Sequence, residues 1–158
     1  MTVRELLLYL LEYTYEREGA YPPLTTALAG LTAAQASWKP AQERHSIWQI
    51  VRHMAHWSEA GLAALAARPQ VYEDLQRSDW QAASGDEREW QADVARLHGA
   101  YRRLMERLRS MSEEDLARMI EPWRGKPPYP AAFRFARTAA HDTYHLGQIR
   151  YLRALRGA

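Results

Sequence analysis

The stretch Ala131-Ala-Phe-Arg-Phe-Ala-Arg-Thr138-Ala-Ala-His141-Asp-Thr-Tyr-His145-Leu-Gly-Gln148-Ile-Arg-Tyr-Leu152-Arg-Ala-Leu-Arg156 reads as one long helix. Pro130 before it suits a first-turn position, and Gly157 after it suits a stop. At ~100° per residue, Thr138, His141, His145, Gln148 and Leu152 share an arc about 80° wide. That arc contains Leu152 and borders Ile149, so it faces the interior. An inward face bearing two histidines decides both the fold class and the place to look for chemistry.

Three more helices of comparable length precede it. Residues 2–17 open on Thr2 with Glu5 three positions on, a capping-box pair, and carry Leu6, Leu7, Leu10, Leu11 and Thr14 on one stripe. Gly19 and Pro22-Pro23 end this helix. The second runs from Ser46 to about Ala67, stopped by Pro69, with Ile47, Ile50, Val51, Met54, Trp57, Leu62 and Leu65 as its apolar set. The third spans 84–110, with Ser84 and Glu87 as its expected capping pair. Short helical turns are expected at 24–28, 32–37 and 112–117. Residues 68–83 read as a polar connection, and 121–130, with four prolines, as a loop, lid or irregular hairpin. No segment alternates with period two. Four long amphipathic helices joined by long loops predict an all-α four-helix bundle with crossover connections, in one domain covering 1–158.

Composition narrows the function. The chain has 158 residues, 47% hydrophobic and 25% charged, which excludes disorder as its dominant state. It has no Cys, so a disulfide scaffold, a thiolate metal site and a cysteine nucleophile are all excluded. The 21 basic and 19 acidic side chains leave a net charge of +2 without a basic cluster, and nucleic acid is not an expected partner. No run approaches the ~18 apolar residues of a membrane span. The opening Met1-Thr2-Val3-Arg4-Glu5 has no signal-peptide pattern, and a cytoplasmic location is expected.

The six histidines then carry the chemistry. His141 and His145, at i and i+4, lie one turn apart on one face, a spacing that lets two imidazoles converge on one ion. Two buried imidazoles need partners, and a metal would satisfy both. A third ligand should come from the second helix. His53 sits about 90° from the centre of its apolar stripe and His56 about 160° away, so periodicity selects His53 and leaves His56 in solvent. His45 and His98 read as surface residues. Three His ligands leave an open position on a divalent ion, the coordination of a catalytic rather than a structural site. Imidazole ligation suits zinc, nickel, copper and iron alike.

These residues resemble a known family. Ser46-Ile-Trp-Gln-Ile-Val-Arg-His53-Met-Ala-His-Trp57 is similar to the second-helix motif of the DinB/YfiT-like superfamily, and His141-Asp-Thr-Tyr-His145-Leu-Gly-Gln148 to its fourth-helix H-x-x-x-H-x-G-Q motif. Pro22-Pro23-Leu24, Gly30-Leu-Thr32 and Trp38-Lys-Pro40 add to the likeness, which covers nearly the whole chain. The resemblance implies a four-helix bundle, a homodimer, and a divalent metal held by His53, His141 and His145. Zinc or nickel lead, with iron or manganese as alternatives. It also implies a small-molecule substrate and an activity of thiol S-transferase or hydrolase type, with a low-molecular-weight thiol as a candidate cosubstrate. A non-catalytic metal-binding or dimerisation module is a second reading, and a chain with no metal, its three imidazoles apart or hydrogen-bonded to protein groups, is a third.

Around this trio several residues stay open. Gln148 either holds a ligand or metal-bound water, or caps a backbone group. Asp142 either orients a ligand on another helix or is solvated. Trp57, Trp80, Trp123 and Tyr144 line a pocket or fill the core. Arg52, Arg137 and Arg150 bind an acidic substrate or face water.

Overall fold

Most helix starts in this chain are written by short polar residues, as the computed structural model, which describes residues 1–157, shows. Thr2 caps α1 (Val3–Tyr15), and Glu5 returns the bond to the Thr2 backbone. Pro23 leads into α2 (Leu24–Leu28), and Thr32 with Gln35 caps α3 (Ala33–Ser37). Ser46 with Gln49 caps α4 (Ile47–Leu65). A short α5 (Tyr72–Arg77), not anticipated from the sequence, lies inside the polar connection 68–83.

The start of α6 (Glu87–Ser110) corrects one expectation. Its cap is Asp86 with Glu89, not Ser84 with Glu87. Both pairs fit the capping pattern, and tertiary packing separates them. The Glu87 carboxylate accepts the backbone N–H of Ala33, 2.8 Å away, and so serves the start of α3. Ser112 with Asp115 caps α7 (Glu113–Ala117). The proline-rich segment is an irregular hairpin. Its arms β1 (Met119–Ile120) and β2 (Tyr129–Pro130) pair antiparallel, and β2 runs directly into α8 (Ala131–Arg156). Gly157, at φ 70, closes α8 in the left-handed conformation that glycine tolerates best.

The long helices form a ring. α1 packs on α6 and α8, and α4 packs on the same two. Thus α1 and α4 face each other diagonally, as do α6 and α8. Two of the three long connections therefore cross the end of the bundle, as the loop lengths require. The interior is apolar and aromatic. Trp48 and Trp90 meet edge to face at 5.5 Å with both rings fully buried. Their N–H groups are satisfied by Asp93 and by the Leu31 carbonyl. Among the described residues, no helix is long and apolar enough to cross a membrane.

Candidate metal centre

The contact between α4 and α8 places His53 opposite His141 and His145. Ile50 and Met54 flank His53 in the core, which draws its ring inward, and it is only 7% exposed. His53 Nε2 lies 3.0 Å from His141 Nε2, and His145 Nε2 lies 3.1 Å from the same atom. Ligand atoms of all three fall within 4.8 Å of one another.

The opposite edge of each ring is held by an acceptor. His53 Nδ1 donates to Asp79, at 2.8 Å from Oδ1 and 2.9 Å from Oδ2. His141 Nδ1 donates to Asp142 Oδ1 at 2.6 Å, and His145 Nδ1 to Gln148 Oε1 at 2.7 Å. Two carboxylates and a carbonyl oxygen place the ring proton on Nδ1 in each neutral imidazole. Every Nε2 then carries a lone pair, and the three lone pairs point at one another. For two of the three rings, burial also disfavours protonation. Burial, opposed by Asp79, pushes the His53 pKa down to about 4. Burial, followed by the neighbouring His141, pushes His145 down as well. A cation fits this donor set. At Zn–N bonds of ~2.0–2.1 Å, tetrahedral ligand nitrogens lie about 3.3 Å apart, close to the separations seen here.

Asp79 is the residue that sequence reasoning missed. It sits just after α5, in a connection with no periodicity to mark it. Its carboxylate also accepts Trp57 Nε1 at 2.7 Å and the Trp80 backbone N–H at 2.8 Å. Trp80 adopts φ 53, uncommon for a bulky residue. Its ring stacks on His53 with centroids 3.9 Å apart, and on its other neighbour His45 at 3.8 Å.

Asp142 corrects another expectation. It is 1% exposed rather than solvated, and it orients His141 on its own helix rather than a ligand elsewhere. Its second oxygen is buried without a hydrogen-bond partner. His98 is likewise not a plain surface residue. It is half-buried, and its Nδ1 meets the Tyr15 hydroxyl at 2.7 Å. His56 is half-buried and bonds the Leu75 carbonyl at 3.1 Å, away from the trio.

A cavity of about 360 Å³ opens beside the histidines. Among its lining residues are His53, His141, Trp57, Trp80, Trp123 and Arg137. Trp123 reaches it from the hairpin and meets Trp57 edge to face at 5.3 Å. Tyr144 neither lines this cavity nor fills the core: it is 63% exposed and accepts a bond from Gln148 Nε2. Arg52 is drawn off to Asp93 at 2.6 Å, and Arg150 is exposed outside the cavity. Arg134, unmarked by the pattern, lines the cavity while 5% exposed.

The family profile described as the DinB superfamily matches residues 18–149. The chain belongs to the DinB superfamily. The DinB-superfamily fold is shared with a conserved protein from Enterococcus faecalis, at 18% identity and a TM-score of 0.72, covering 100% of this chain and 99% of that one. It is shared also with a DinB-like protein from Bacillus cereus, at 14% identity and a TM-score of 0.58, covering 98% and 86%. No curated protein matches the chain.

Proposed function

We propose that this DinB-superfamily chain binds one divalent metal ion through His53, His141 and His145 and is a metal-dependent enzyme acting on a small electrophilic substrate. The observation that carries the reading is the set of three Nε2 lone pairs aimed at one point, each ring fixed from behind by Asp79, Asp142 or Gln148. His53, His141 and His145 would hold the divalent cation, which would supply Lewis acidity toward a thiol or a water molecule. The chain's residues supply the rest. Asp79 and Asp142 hold two rings in the ligating tautomer and set negative charge behind them. Trp57, Trp80 and Trp123 wall the cavity and thin out bulk water near the histidines. Thiol S-transfer and hydrolysis are the two reaction types that fit.

A purely structural ion would call for a fourth protein ligand and a closed site. Among the described residues the cluster holds three ligands, and the cavity reaches two of them, which favours the enzyme reading. The test is elemental analysis of protein purified without a metal-affinity tag, beside His53→Ala and His145→Ala. About one divalent ion per chain, lost in both variants, is expected, and a screen of thiols against electrophiles then follows. Wild-type protein that is metal-free and fails to take up zinc, nickel or manganese would end the proposal.

A further inference from the structure

Arg134 is buried to 5% exposure at the N-terminal end of α8, and it lines the same cavity as His53 and His141. Its surroundings are built for a guanidinium. Gly61 of α4 lies so close that a Cβ there would sit 2.3 Å from Arg134 Nε. Arg134 Nη2 donates to the Trp57 carbonyl at 2.7 Å, and the guanidinium lies 5.0 Å from the Trp123 ring centroid. None of these partners carries a negative charge. The Tyr129 hydroxyl lies beside the guanidinium and, with Asp142, favours its charge, but among the described residues Arg134 forms no ion pair. Arg134 Nε and Tyr129 Oη are both buried without a hydrogen-bond partner.

A buried cation without a paired anion is costly, and a bound anion would remove that cost. Arg137, exposed on the next turn of α8, adds a second positive charge to the cavity lining. Of the two carboxylates in that lining, Asp79 is committed to His53, Trp57 and Trp80, while Asp142 holds His141 through Oδ1 and its Oδ2 makes no ion pair with Arg134. The remaining wall is aromatic, formed by Trp57, Tyr72 and Trp123.

We propose that Arg134 and Arg137 form an anion-binding subsite in this cavity, and that its ligand is a small organic anion with an aromatic or apolar body. The body lies against Trp57, Tyr72 and Trp123. Along α8, Arg137 and Arg134 stand four and seven residues before His141, about 6 and 10 Å at 1.5 Å per residue. The ligand carries its anionic group at the arginine end of the cavity and presents its other end to the histidines. That last orientation rests on the proposed function; the anion subsite does not.

The test uses the whole protein, zinc-loaded and chelator-treated, titrated with benzoate, phenyl phosphate and the neutral benzamide. Tryptophan fluorescence and melting temperature are the readouts. Saturable binding of at least one anion to both forms is expected, with benzamide at least ~10-fold weaker, as loss of a charge-assisted bond implies. The tighter of the two anions identifies the head group. Arg137→Ala and Arg134→Lys weaken binding by about 10- to 100-fold. Arg134→Met, which removes the buried charge, keeps or raises the melting temperature while abolishing anion binding; should it fail to fold, Arg134→Lys and Arg137→Ala decide. Equal binding of benzamide, or wild-type affinity in Arg137→Ala and Arg134→Lys, would overturn the subsite. So would the absence of saturable binding by either anion, or binding only to zinc-loaded protein. Protein that takes up no zinc yet binds benzoate through Arg137 keeps this subsite and removes the metal proposal.

Discussion

Replacing Asp79 with Asn keeps the side-chain volume and removes the charge behind His53. In the wild type the carboxylate accepts from His53 Nδ1, Trp57 Nε1 and the Trp80 backbone N–H at 2.7–2.9 Å. Asn turns one of the two accepting oxygens into a donor, so one of these N–H groups faces an N–H. Loss of such a support behind a metal-bound histidine costs about 10- to 100-fold in metal affinity, or about 1.4–2.7 kcal/mol. With zinc at about 100 times the wild-type Kd, the wild type gains about 2.7 kcal/mol of stability and the variant about 0.4–1.4 kcal/mol. For a domain of this length, 1 kcal/mol moves Tm by about 2–4 °C. The zinc-induced rise should therefore shrink from about 5–11 °C to about 1–6 °C. Differential scanning calorimetry, with each protein referenced to its own chelator-treated form, separates this from any change in apo stability. A zinc-induced rise in Asp79→Asn equal to that of the wild type would refute the role given to Asp79, and with it the argument from a fixed tautomer.

Gln148→Ala should weaken zinc binding by less than Asp79→Asn, because a neutral acceptor makes the weaker bond; competition against a chromogenic chelator measures both. Metal-free protein should lose stability as pH falls from about 6.5 towards 4. Burial lowers the His53 and His145 pKa values, so the unfolded chain takes up protons there that the folded one does not. Melting curves over that window should slope less in His53→Gln, and parallel curves would contradict the assignment. Gly61→Ala, which in an open helix gains up to ~1 kcal/mol, should here cost about 1–3 kcal/mol, because the added methyl meets the Arg134 guanidinium. Urea denaturation checks the sign, and adding Arg134→Met to the same chain should recover the loss.

The sequence by itself determined the four long helices and two sides of the histidine cluster. Capping residues at Thr2, Ser46 and Ser112 and apolar stripes at helical spacing are local signals, because a helix repeats every 3.6 residues wherever it packs. His141 and His145 share a face for the same reason, and His53 was separated from His56 by its angle to the apolar stripe. Only the tertiary structure decided which groups stand behind and beside those rings. Asp79 and Trp80 come from a connection without periodicity, and Trp123 from a hairpin loop, so nothing local marks them. Ser84, expected to cap α6, gives way to Asp86, and Glu87 serves α3 instead. Local pattern leaves Asp142 open between an orienting and a solvated role and does not mark Arg134. They are buried because α4 and α8 close over them, Gly61 making room for the guanidinium. Periodicity tells which way a side chain points along its own helix; what it meets there depends on a neighbour far away in the chain.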